Sequence, residues 1–302
     1  MQQRTVKHTY VFEGKGLHTG VVSRLAISPA PEDSGIVFRR SDLEGVPGVP
    51  ALAEYVSTTT RSTTISNGSF EINTVEHVLS ALTGLGVDNA VVEVSNVEVP
   101  ILDGSARPYV EAILADGLAQ QSAPRRYITV PEVVEVSDPE SGSWVRIEPA
   151  DTLSYDVTVD FGSRVLGVQT AHWDESVDYS KEIAVCRTFV FFHEIEFLLA
   201  HNLIKGGDVD NAIVIVEHPV SEEQVSRIAQ AIGRPALHVE PNGYLSNIKL
   251  NFPNECGRHK LLDLIGDIRL AGGYLKARIT AFKPGHTMNT KAAKELRAAL
   301  AK

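Results

Sequence analysis

Two periodicities run through these 302 residues, and the order in which they come constrains the fold more than any single motif does. Alternation of apolar and polar residues, the mark of a half-buried strand, appears in "VFEGKGLHTGVVSRLAIS", "NAVVEVSNVEV", "YITVPEVVEV", "LSYDVTVDFG" and "LKARITAF". Helical spacing appears in "TVEHVLSALTG", "ARPYVEAILADGLAQ", "TFVFFHEIEFLLAHN", "SEEQVSRIAQAIG", "RHKLLDLIGDIRLAGG" and "TKAAKELRAALAK". Strands arrive in groups with helices between the groups, which predicts an α+β layered arrangement rather than a doubly wound parallel sheet. The polar, proline-containing stretch "QSAPRR" marks the best boundary and divides residues 1–121 from 127–302.

A weak internal repeat points to two similar halves. Aligning His77 with His259 also pairs Leu79 with Leu261, Leu82 with Leu264 and Gly84 with Gly266. If the halves are duplicates, each carries an equivalent helix with a histidine at the equivalent point.

Composition narrows the function classes. A hydrophobic content of 43% is enough to bury sizeable cores, yet no apolar run approaches the roughly 20 residues that span a bilayer. The N-terminus, "MQQRTVKHTYVFEG", lacks the apolar segment of a signal peptide, so the cytoplasm is the expected compartment. Cys186 and Cys256 are the only cysteines, which excludes a disulfide scaffold and predicts free thiols. A formal charge of −10 argues against nucleic-acid binding, while a few concentrated cations would still accept an anionic small molecule.

Within "NTVEHVLSALTG", Val75, Val78, Leu79 and Leu82 recur at the spacing of one buried helix face, with Asn73 or Thr74 as the expected cap and Gly84 as the expected end. At about 100° per residue, His77 points roughly away from that stripe and Glu76 lies between the two. An exposed face often carries such a pair for solubility alone. In "GRHKLLDLIGDIRLAGG", the stripe is Leu261, Leu264, Ile265 and Ile268, and His259 and Asp263 project side by side, four residues apart, from the other face.

If the two polar faces meet, His77, His259 and Asp263 supply two imidazoles and a carboxylate to one metal ion and leave a fourth position open, the arrangement of catalytic zinc sites. Imidazole ligands favour zinc over magnesium or calcium. A competing set built on Cys256 and His259 lacks a second cysteine pair. Asp267 lies one turn further along nearly the same face. It reads either as a surface acid paired with Arg269 or Lys260, or as the carboxylate that holds and charges a catalytic histidine. The candidate partner is His286, expected in a loop after a strand, in "FKPGHTMN".

The runs "GKGLHTG", "TVEH", "GLGVDNAVVEV", "VPILDGSARPYVEAI", "CRTF", "RHKLLDLIGD" and "KPGHTMN" together resemble the UDP-3-O-acyl-N-acetylglucosamine deacetylases, zinc enzymes of lipid A synthesis. The motifs fall in order from Gly14 to Asn289, so the resemblance covers nearly the whole chain. It implies two similar α/β sandwich domains enclosing the active site, and removal of the N-acetyl group with release of acetate. Carried onto matching positions, it implies zinc ligands His77, His259 and Asp263, with iron able to use the same set. It also implies Glu76 as general base, His286 as general acid, Thr188 as an oxyanion contact, and Lys260 and Asp267 in support. Lys260 would face the UDP phosphates, Phe189 and Phe191 would line a slot for the acyl chain, and Leu17 and His18 would sit at the mouth of the site.

The segment between Val216 and Cys256 is longer than compact members of that family carry, so the second domain is expected to hold a rebuilt acyl-chain insert. Some members continue into a hydroxyacyl-carrier dehydratase domain, and residues 1–302 read either as a whole chain or as the front of such a fusion. The acylated substrate is compatible with transient contact at a membrane surface. No motif for an obligate protein partner is evident.

Overall fold

Val92 faces Ile27 on one neighbouring strand and Phe38 on the other, and all three side chains are fully buried. That triple lies at the centre of a five-stranded sheet in a computed structural model of the protein, described here over residues 1–195, 211–231 and 236–301. The hairpin Tyr10–Lys15 and Val22–Pro29 forms one side, Ala90–Val94 the middle, and Ile36–Arg40 with Val49–Pro50 the other side. Strand Ala90–Val94 buries alternate residues, Ala90, Val92 and Val94, as a one-sided sheet requires.

Five strands of the second sheet repeat this order, and a sixth, Tyr127–Thr129, pairs parallel with the start of the middle strand. The hairpin of this sheet is Val134–Asp138 and Ser143–Pro149, its middle strand Tyr274–Phe282, and its far side Ser154–Asp160 with Val168–Asp174. In both sheets the hairpin strand pairs antiparallel with the middle strand, and the middle strand pairs parallel with the third strand in sequence. Helices take matching places as well. Helix α1 (Glu76–Leu85) precedes the first middle strand and α2 (Arg107–Asp116) follows it. Within the second unit, after the strand Val168–Asp174, come the short helix α3 (Tyr179–Glu182) and then α4 (Glu222–Ala231). Helix α5 (Glu255–Ile268) precedes the second middle strand and α6 (His286–Leu300) follows it.

Each unit also carries an extra segment immediately before its first large helix. In the first it is the small sheet Val56–Thr58, Thr64–Ser66 and Glu71–Ile72. In the second it is the parallel pair Thr188–Phe191 and Ala212–Ile215 with α4, which keeps small apolar cores of its own around Val214, Ile228 and Leu245 and around Ile213, Ile215 and Cys256. The main core is continuous through both units.

Helices α1 and α5 pack against each other, so the faces opposite their apolar stripes are not solvated: Glu76, His77, His259 and Asp263 are all at most 5% exposed. Gly266 permits the crossing, since it lies directly on the Glu76 backbone. The stretch 121–126 is not a free tether. Leu118–Pro124 is a strand paired with Gln2–Val6, and Arg125 buries its guanidinium against Asp88, the Gly86 carbonyl and the Tyr274 ring.

Several local expectations are corrected. Helix α1 starts at Glu76 without a side-chain cap, because Thr74 donates instead to Glu98 and Asn73 accepts from Thr64, and it ends at Gly86, in the left-handed region at φ 79°, rather than at Gly84. The helix read into "ARPYVEAILADGLAQ" stops at Asp116, where Gly117 turns the chain into a strand. Thr188–Phe191, read as helical, is a strand in register with Ala212–Ile215, the ambiguity that short aromatic and β-branched runs carry. Residues 192–195 of that run are helical as expected, whereas 196–202 lie outside the described residues, as do 232–233 at the end of another expected helix and Lys302. His286 opens α6 instead of sitting in a loop.

Candidate active site

The crossing of α1 and α5 brings three ligating groups to one point. His77 Nε2 lies 3.5 Å and His259 Nε2 3.4 Å from Asp263 Oδ1, and the ligating atoms of the three residues fall within 4.8 Å of one another. The two imidazole rings stand edge to face, 5.1 Å between centroids. Asp263 Oδ1 is buried and has no hydrogen-bond partner, whereas Oδ2 accepts from Lys260 Nζ at 2.8 Å. An orphaned carboxylate oxygen between two imidazole nitrogens is costly unless a cation sits there, so the donor set fits a metal ion of the kind that takes nitrogen and oxygen ligands.

Electrostatics favour the ligating forms. Burial pushes His259 down to about 3, against the pull of Asp263, so the ring is neutral with a lone pair to give. Burial would raise Asp263, but His259 and Lys260 beside it hold it well below the usual carboxylate range. Lys260 is raised in turn, its burial outweighed by Asp263, so it remains a full cation.

A second cluster adjoins the first. His286 Nε2 lies 3.9 Å from Glu76 Oε1, and His286 Nδ1 is 3.0 Å from Asp267 Oδ2. Asp267 also accepts from Thr63 Oγ1 at 2.6 Å and from Asn289 Nδ2 at 2.9 Å. As first residue of α6, His286 meets the positive end of a helix dipole, and burial also disfavours its charge. Asp267 and Glu76 outweigh both and raise it to about 9. Burial raises Glu76 above its ordinary value, against His286 and His77, while Oε2 accepts from the backbone N–H of Thr63. A carboxylate and an imidazolium thus flank the same small space beside the ligating triad, the combination needed to take one proton and give another.

Phe189 packs within 6.4 Å of the His259 ring and 5.5 Å of Lys260 Nζ, and with Phe161 and Phe191 it makes an aromatic wall. Thr188 is half-buried and donates its backbone N–H to Gly104 O. His18 and Thr19 donate backbone N–H groups to the buried carboxylate of Glu98, and burial lowers the His18 pKa near His286 and His77. Leu17 is half-buried in the same turn.

Sequence reasoning missed Thr63, Asn289, Glu98 and a cavity. Asn289 stands three residues after His286 in a helix and was legible by spacing; Thr63 and Glu98 come from distant segments and gave no signal. The cavity, about 880 Å³, opens beside His286 and is lined by Phe161, Asp160, Lys283, Lys291, Thr59 and Thr287 among others.

Among the described residues, no helix is long and apolar enough to cross a membrane. The model of the family described as UDP-3-O-acyl N-acetylglycosamine deacetylase matches residues 3–234 and 229–298. The bifunctional enzyme LpxC/FabZ of Porphyromonas gingivalis is 44% identical over 98% of this chain, which covers 64% of that protein. The chain likewise spans 64% of the length of the bifunctional enzymes of Bacteroides thetaiotaomicron and Chlorobaculum tepidum. The UDP-3-O-acyl-N-acetylglucosamine deacetylase of Thioalkalivibrio sulfidiphilus is 40% identical over 96% of this chain and 88% of that protein. That of Pseudomonas entomophila is 41% identical over 98% and 90%. With the family model matched almost end to end and the triad in place at its centre, the chain belongs to the UDP-3-O-acyl N-acetylglycosamine deacetylase family.

Proposed function

We propose that this chain hydrolyses the N-acetyl amide of a UDP-linked 3-O-acyl-N-acetylglucosamine, releasing acetate in the committed step of lipid A synthesis. The observation that carries the reading is the convergence of His77, His259 and Asp263, with Asp263 Oδ1 orphaned, beside a Glu76–His286 pair 3.9 Å apart. The donor set suits zinc, and iron(II) would accept the same ligands. When bound, such an ion supplies Lewis-acid polarisation of the amide carbonyl and acidifies attacking water.

The residues of the chain would do the rest. Glu76 takes a proton from the attacking water, and its raised pKa makes it a stronger base than an exposed glutamate. The Thr188 hydroxyl steadies the negative oxygen of the tetrahedral intermediate. His286, held charged by Asp267, gives its Nε2 proton to the departing glucosamine nitrogen. Lys260 neutralises charge beside Asp263 and reaches toward the anionic substrate.

The cavity beside His286 supports a seat for the nucleotide, with Lys283 and Lys291 for phosphate and Phe161 for a ring face. Phe189 and Phe191 would guide the acyl chain, with Leu17 and His18 at the mouth. The repeated strand order supports two sandwich domains, 1–121 and 127–302, the second bearing the acyl-chain insert. A cytoplasmic enzyme touching the membrane surface only in passing fits this substrate.

Acetate release from UDP-3-O-(3-hydroxyacyl)-N-acetylglucosamine tests the reading when followed before chelation, after chelation and after zinc is restored. Loss and recovery of release are expected. Folded protein that releases none under any of these conditions would leave a binding module in which the metal only joins two domains.

A further inference from the structure

Glu255 belongs to neither cluster of the site, yet its carboxylate is buried at 1% exposure and four residues from the proposed ligand His259 on one helix face. It accepts from Arg187 Nε at 2.8 Å, from Arg187 Nη2 at 3.1 Å, from the Asn251 backbone N–H, and from the Arg187 backbone N–H at 3.1 Å. That last N–H belongs to the peptide group whose carbonyl is Cys186 O. On the opposite side of the same planar group, Cys186 O lies 3.1 Å from His259 Nδ1. A carbonyl only accepts, so Nδ1 carries the proton and Nε2 keeps its lone pair for the ligating position. One peptide unit is therefore bracketed by two residues of α5, at i and i+4.

We propose that Glu255 is a positioning residue for His259, acting through the Cys186–Arg187 peptide to fix and strengthen that ligand. A carboxylate on the N–H end polarises the peptide and makes its carbonyl a better acceptor, because hydrogen bonds in series reinforce one another at low dielectric. The stronger acceptor draws on Nδ1–H, which raises the electron density at Nε2 and holds the ring in its plane. Asn251 Nδ2 and Arg258, bonded to the carbonyls of Val185 and Glu182, steady the same loop, so the peptide cannot simply follow a moved carboxylate. The competing role is structural, a buried ion pair that closes the start of α5 and affects folding alone.

The inference rests on the metal-enzyme reading, and the test separates the two. Zinc is removed from the full chain by chelation and titrated back, with affinity read by competition against a chromogenic chelator. Glu255→Gln keeps the shape and an accepting oxygen but removes the charge, and is expected to bind zinc about tenfold more weakly. Arg187→Lys gives up the guanidinium fork while leaving the carboxylate charged, and is expected to stay within about twofold of wild type. Equal affinity in Glu255→Gln, or an equal loss in Arg187→Lys, overturns the proposal. A third measurement needs no variant: on zinc addition to wild-type protein, the Arg187 amide proton should shift downfield, and an unmoved resonance also overturns it. Wild-type protein that takes up no zinc would instead overturn the functional reading, and this inference with it.

Discussion

Gly266 of α5 lies so close to Glu76 of α1 that a Cβ at Gly266 would fall 2.1 Å from the Glu76 carbonyl oxygen. The obstacle is backbone, so a side chain there has to push the helices apart. Gly266→Ala is expected to destabilise the fold by about 1–3 kcal/mol, as overpacking does, and to pull His77 and Glu76 away from the residues on α5. Thermal unfolding and zinc titration check this together. An unshifted melting temperature with unchanged affinity would mean that the crossing has room the geometry denies.

Glu76 should matter to turnover and little to metal binding. Glu76→Gln keeps the hydrogen bond from Thr63 N–H but cannot take a proton. Its kcat is expected to fall by at least about 100-fold, the low end for loss of a general base, with zinc content unchanged. Full turnover in a zinc-loaded variant would remove Glu76 from the proton-taking role.

The pH profile of kcat should be bell-shaped, with both limbs assigned. Glu76 must be ionised, so the rate falls as pH drops through its raised value. His286 must be protonated; burial opposes this, but Asp267 and Glu76 raise it to about 9, so the rate holds through neutrality and falls as pH rises through about 9. Asp267→Asn removes the foremost group that charges His286, so the alkaline limb should move to lower pH while the acid limb stays nearly in place. An alkaline limb unmoved in that variant would assign it to another group.

Lys283 and Lys291 should act on binding alone. Both line the cavity beside His286, and Lys283 is only loosely paired, its Nζ 3.4 Å from Asp160. Replacing both by alanine is expected to raise KM about tenfold, the worth of one charge-assisted contact, with kcat nearly unchanged. Inhibition by UDP should weaken in parallel. Weakened turnover with UDP affinity intact would move the nucleotide elsewhere.

The sequence by itself determined the α+β class, the helices that carry the triad, and the spacing that sets His259 and Asp263 on one face. Those properties are local: a helix repeats every 3.6 residues, and the chain displays that period wherever a helix forms. It also displayed Glu76 next to His77, though not whether that pair faces water or another helix. Only the tertiary structure decided this, because the answer depends on Gly266, 190 residues away, admitting the Glu76 backbone. The same holds for Thr63 and Asp267, Glu98 and the His18 turn, and the peptide held between Glu255 and His259. The short run Thr188–Phe191 became a strand for a related reason: it completes its backbone hydrogen bonds on Ala212–Ile215, and no local pattern shows where a partner strand will lie. A helix satisfies its backbone within itself and can be read in place; a strand, a buried carboxylate and a ligand set need partners that only folding brings.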